Sequence, residues 1–189
     1  MSVARALTVF WAVLVAGMLA LLIARPDLFT PEAVVADLRA FGPWAFGAFA
    51  VISLVRGLVM LPSTPVVLAG GALFPAAPVP VIAVSLVGIV ATAVLLHRFP
   101  QVGGFDTRLA ERHPERMERL RTHLVRPTAQ WAVVAWAFFP AVPTDLVCYT
   151  AGLVGMPLRR LVVGILIGEV PLVVAYVLLG KQAAAWLAL

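Results

Sequence analysis

"FPAVPTDLVCYTAG", residues 139–152, places two prolines, a threonine and an aspartate inside an apolar stretch. Pro140 and Pro143 each remove a backbone donor, and Asp145 brings a charge, so an uninterrupted membrane-crossing helix cannot be written through this segment. The setting is nevertheless a membrane. Of 189 residues, 62% are hydrophobic and 12% charged, with mean hydropathy +1.03. A soluble domain has about 45–50% apolar and about 25% charged residues. A chain this apolar needs lipid to cover much of its surface.

Working outward, Thr128 to Phe139 runs into "PAVP", and the thirteen residues from Thr144 to Met156 end at Pro157. An upstream stretch has the same plan: Trp44 to Met60, then "LPSTP", then nine residues from Val66 to Phe74 before Pro75. Nine helical residues reach only about 13 Å, less than half of roughly 30 Å of hydrocarbon. "PSTP" at 62–65 pairs with "PAVP" at 140–143, and "AGGALFP" at 69–75 with "AGLVGMP" at 151–157, which reads as an internal repeat. Each copy precedes a long apolar run, Val79–Leu96 or Leu161–Leu179. Each unit is therefore expected to be a hairpin that dips into the membrane and returns, its proline tip near mid-depth. Protein or a water-filled cavity must surround such a tip.

Ala6 to Ala24 is a further uncharged run, long enough to span and too long for a secretory signal, so a retained N-terminal span is expected. Thr30 caps an amphipathic segment, Pro31–Phe41, with Val34, Val35, Leu38 and Phe41 on one face; it is expected to lie at the membrane interface. The fold class is an all-α integral membrane protein: an inverted repeat of re-entrant helical hairpin plus transmembrane helix, with an extra N-terminal transmembrane helix. Its parts are 1–29 (N-terminal span), 30–98 (first repeat), 99–127 (basic amphipathic linker) and 128–189 (second repeat). In the linker, Met117, Leu120 and Leu124 share a helical face.

With the N-terminus and the 98–127 loop cytoplasmic, ten arginines (5, 98, 108, 112, 116, 119, 121, 126, 159, 160) lie inside and Arg25, Arg39 and Lys181 outside, as the positive-inside rule asks. The expected location is the plasma (inner) membrane. A second topology takes Trp44–Met60 as a full span with the N-terminus outside, but leaves 66–74 unexplained. The net charge of +5 then follows from topology, and nucleic-acid binding is set aside because no solvated basic domain exists.

Charges inside the apolar segments are the residues most informative about function. Arg56, Asp145 and Glu169 are those charges, and Ser63, Thr64, Thr144 and Tyr149 are their expected hydrogen-bonding companions. Pro62, Pro65, Pro140 and Pro143 would shape the two tips, with Gly70 and Gly152 in the limbs that follow. Helix starts at such tips present amides that attract anionic groups. Arg56 pinning the hairpins through an ion pair is the structural alternative. Cys148 reads as a small buried apolar residue, and His97, His113 and His123 as solvated groups at or in the linker. One cysteine allows no disulfide, and there is no metal-ligand spacing or phosphate-binding loop; no cofactor is implied. An intramembrane enzyme would need a base beside Ser63, Thr64 or Cys148, and no histidine is expected at depth.

"LPSTPVVLAGGALFP" (61–75), Gly88, Arg98, "FPAVPTDLVCYTAG" and "GEVP" (168–171) in this order resemble the DedA superfamily, also called the VTT-domain or SNARE-associated family. The resemblance implies facing re-entrant hairpins and a role in lipid scrambling or in recycling polyprenyl-phosphate carriers coupled to the proton gradient. By position, Asp145 matches the family's acidic or amide residue, and Tyr149 with Gly152 its Tyr-x-x-Gly. The chain departs at Ala137, where an arginine is common, and at Phe74-Pro75, where Phe-Gly is usual. The expected partners are membrane lipids, anionic phospholipid or polyprenyl phosphate among them, with self-association left open. Transport of a small solute or ion and a non-transporting scaffold are the alternative functions.

Overall fold

The computed structural model describes residues 3–103, 111, 114–115, 118–119, 122, 126, 128–139 and 143–186. Most of the 99–127 linker, with His113 and His123, and the tip residue Pro140 lie outside them. The described residues form helices α1 (Val3–Ala24), α2 (Pro31–Ala40), α3 (Ala45–Val55), α4 (Ser63–Leu73), α5 (Pro78–Gly103), α6 (Ala129–Ala137), α7 (Thr144–Val154) and α8 (Leu158–Trp186), with no strand among them. An all-α membrane protein is thus observed.

Helix length follows from where proline is tolerated. Pro78 opens α5, where a missing donor costs nothing, and the apolar run carries the helix for 26 residues; α8 continues for 29. At 1.5 Å per residue these are roughly 39 and 43 Å long, enough to cross. Gly42–Val59 is also long and apolar enough by length and composition. It is segmented, with a 3-10 turn at Gly42–Trp44, then α3, then a 3-10 turn at Arg56–Val59.

Helices α4 and α7 are each 11 residues, about 16 Å, half the hydrocarbon thickness. Here the structure corrects the sequence reading. α4 begins at Ser63, not Val66, because Pro65 falls in the first turn, whose amides have no intrahelical partner. The N-caps are Pro62, the first proline of "PSTP", and Pro143, the second of "PAVP".

The chain divides into two compact units, Val13–Ile89 with Val170–Leu189, and Met1–Ala12 with Val90–Glu169. In the first, α2 packs on α3 and α4, burying Val35 and Leu38 while Phe41 stays exposed. The Thr30 hydroxyl caps α2 by accepting the Ala33 N–H at 3.2 Å. Phe46, Phe49 and Phe74 cluster at centroid distances of 5.1 to 6.0 Å, with Gly70 beneath the fully buried Phe49 ring. Gly71 meets the Val177 carbonyl of α8 so closely that a Cβ would overlap it, and Gly88 of α5 meets the Ser53 carbonyl in the same way. Near α1, exposed Arg25 and Asp27 pair at 2.9 Å. The hydrogen bond from Arg25 holds the Asp27 carboxyl below its ordinary value, so this pair contributes above the ordinary carboxyl range and is lost as pH falls through the lowered value.

The second unit repeats these contacts at matching spacing. Gly152 of α7 meets the His97 carbonyl of α5, and Gly168 of α8 approaches the Val134 carbonyl of α6. The step from Pro62 to Gly71 equals that from Pro143 to Gly152, and the step from Gly88 to His97 equals that from Gly168 to Val177. Leu161 and Ile165 are fully buried here, and Met156 nearly so. Trp11 of α1 packs on Phe99 (4.4 Å) and stacks on Tyr149 (5.8 Å).

Backbone-to-helix contacts of this kind leave no room for a methyl group. Gly71→Ala and Gly152→Ala should each lower stability by about 1–3 kcal/mol, the usual cost of overpacking. Gly17→Ala, with nothing within 4 Å of the added Cβ, should not destabilise. Thermal unfolding of the purified chain in detergent, with Gly17→Ala as control, reads the difference.

Candidate functional site

Proline placement brings the second unit's polar groups together. Pro143 caps α7, so Thr144 and Asp145 occupy its first turn, where backbone N–H groups point outward and the helix dipole favours negative charge. Glu169 lies eleven residues into α8, roughly 17 Å from its start. The Thr144 hydroxyl donates to Glu169 Oε1 at 2.6 Å, a length typical of a strong O–H···O bond. Asp145 is 8% exposed and Glu169 5%, so both carboxyl groups are out of bulk solvent. Pro171, inside α8, cannot donate to the carbonyl of Ile167, leaving that acceptor without its helical partner within one turn of Glu169.

Other expected residues of this unit serve packing. Tyr149, one turn along α7 from Asp145, stacks on Trp11. Gly152 gives α7 its close approach to α5. Cys148 is buried, as expected, and its thiol donates to the Thr144 carbonyl at 3.2 Å. The Pro143 carbonyl accepts from Trp136 Nε1 at 3.4 Å, which ties the start of α7 to α6.

The first unit holds Arg56, Pro62, Ser63, Thr64, Pro65 and Gly70. Arg56 is buried and closes the turn before α4 twice over. Its carbonyl accepts the Leu61 N–H at 3.0 Å, and its Nη1 donates to the Leu61 carbonyl at 3.2 Å. Met60 between them adopts a left-handed conformation (φ 56°), unusual for a side chain of this size. Arg56 therefore braces that turn through both its side chain and its carbonyl. Pro62 caps α4; Ser63, Thr64 and Pro65 form its first turn, and Gly70 packs under Phe49.

His97 corrects the sequence reading. It is 6% exposed, not solvated, and its Nε2 lies 2.7 Å from the Met156 carbonyl, joining α5 to the α7–α8 connection. Since a carbonyl only accepts, Nε2 carries the hydrogen of this bond, while Nδ1 is buried without a hydrogen-bond partner. The sequence carried only part of the signal: Ala93 and His97 are one helical step apart, but the structure decides that α5 runs past Arg98 and that the ring meets Met156. Trp11 gave no such signal, since nothing in an apolar run marks which ring will meet Tyr149. Among the described residues no group of three His, Cys, Asp or Glu side chains could hold a metal ion.

The VTT domain model matches residues 61–182, from the turn before α4 to the last turns of α8. No curated protein and no solved structure matches the chain. The match covers more than half of the 189 residues, takes in the half-length helices and their N-cap prolines, and agrees with the long apolar helices: the chain is an integral membrane protein of the VTT-domain family, the domain of the DedA and SNARE-associated proteins.

Proposed function

We propose that the chain carries the headgroup of a lipid or polyprenyl phosphate across the bilayer along a polar path at the starts of α4 and α7. The observation that carries this reading is the pair of buried carboxyl groups, Asp145 and Glu169, with the Thr144 hydroxyl bonded to Glu169, in an otherwise apolar membrane chain. Buried ionisable groups at membrane depth are costly and mark transport paths and proton relays. α4 and α7 are the return limbs of two re-entrant hairpins, and the units form an inverted repeat. The matched glycine contacts in both units support that repeat. The residues of the path are Asp145, Glu169 and Arg56, with Ser63, Thr64, Thr144 and Tyr149 as polar companions. Asp145 and Glu169 load and release a proton as the path opens and closes to water. Arg56 and the helix starts offer donors to a phosphate. Moving a headgroup makes and breaks no covalent bond, so no nucleophile is required and the chain acts as a carrier, not an enzyme. The positive-inside rule supports an inner-membrane orientation with the N-terminus and the 98–127 loop cytoplasmic.

Translocation of a labelled phospholipid and of a polyprenyl phosphate in proteoliposomes tests this, with and without a pH gradient. Wild type should move at least one of them, and Asp145→Asn and Glu169→Gln should reduce movement to background while the protein stays folded. Intact transport in both variants rejects the proton-carrying role. Absence of transport by folded wild type moves the reading to a small solute or a scaffold. Thr144→Val keeps the shape but removes the donor to Glu169, and should cost about 1–3 kcal/mol of stability in the same protein. An inside orientation predicts that a cysteine introduced at Arg119 in a Cys148→Ala chain is labelled by an impermeant maleimide only after the cytoplasmic side is opened.

A further inference from the structure

In the unit that does not contain Asp145 and Glu169, an open-sided cavity of about 440 Å³ lies between Pro75, two residues past the end of the short helix α4, and the last turns of α8. It is lined by Pro75, Leu178, Lys181, Gln182, Ala184 and Ala185. Four of these six residues are apolar, two of them alanines whose small side chains leave the space open, and none is acidic. Lys181 and Gln182 are exposed and supply the polar rim. On α8 the apolar run that follows Glu169 ends at Leu179, so Lys181 is the first charge beyond it, at the level where hydrocarbon gives way to headgroups.

We propose that this notch holds one phospholipid with a negatively charged headgroup. The ammonium of Lys181 faces the phosphate oxygens, the Gln182 amide donates to ester oxygens, and an acyl chain lies along Leu178 and Pro75. A free phosphate would use the ammonium but gain nothing from four apolar walls, whereas a lipid uses both. With one cation and no carboxylate among the described lining residues, the local charge favours an anionic headgroup over a zwitterionic one. The notch is separate from the transport path proposed above and does not rest on that reading.

The test is native mass spectrometry of the full chain in detergent, titrated with phosphatidylglycerol or phosphatidylcholine, with thermal unfolding as a folding control. Wild type should retain one tightly held phosphatidylglycerol and bind phosphatidylcholine more weakly. Lys181→Gln should bind phosphatidylglycerol about fivefold more weakly, the effect of one lysine near a lipid surface. Ala185→Phe, which fills the notch, should lose the bound lipid with either headgroup. Equal affinity for the two lipids, wild-type binding in both variants, or full displacement by inorganic phosphate would each overturn the proposal. All of these outcomes can occur whether or not the chain transports anything.

Discussion

In hydrocarbon there is no water to satisfy a loose peptide group, and each one left unpaired costs several kcal/mol. A helix that stops halfway through a membrane must therefore have its ends covered by protein. Helices α4 and α7, each about half the length needed to cross, are built in the same way. A proline N-cap starts each where the first amides need no intrahelical partner, and a glycine, Gly71 or Gly152, lets it sit directly on the backbone of a long helix. Without that approach the short helices would stand off by a side chain's width and lose the contacts that hold them.

The candidate site follows from the same geometry. Because α7 starts at Pro143, its first turn carries Thr144 and Asp145 to the part of the second unit where Glu169 projects from α8. Gly168, the residue before Glu169, lies against α6, which fixes where the carboxyl group can reach. A polar group buried among apolar helices is thus positioned by the packing residues beside it. Arg56 performs the corresponding work before α4, where its side chain and its carbonyl both bond Leu61 and hold Met60 in a left-handed turn. Of the covered charges among the described residues, Arg56 and Asp145 belong to the turn before a half-length helix or to its first turn, where backbone hydrogen bonding is incomplete, while Glu169 lies within the long helix α8 and is met there by the Thr144 hydroxyl.

The sequence by itself determined the membrane setting, the long helices α5 and α8, the shortness of α4 and α7, and the identity of the buried charges. Hydropathy, proline and the rarity of charge in apolar segments are local signals, and they survive without knowledge of neighbours. It also showed the family through paired proline and glycine blocks, and it placed Thr144 and Glu169 among the polar residues worth watching. Tertiary structure alone decided the rest. It moved the start of α4 to Ser63, because tolerance of Pro65 depends on its place in the turn. It buried His97 against the Met156 carbonyl, where a count along the chain had placed it in the polar loop. It also joined the Thr144 hydroxyl to Glu169 across 25 residues of sequence, a pairing that depends on which faces of α7 and α8 meet, and no local pattern records that.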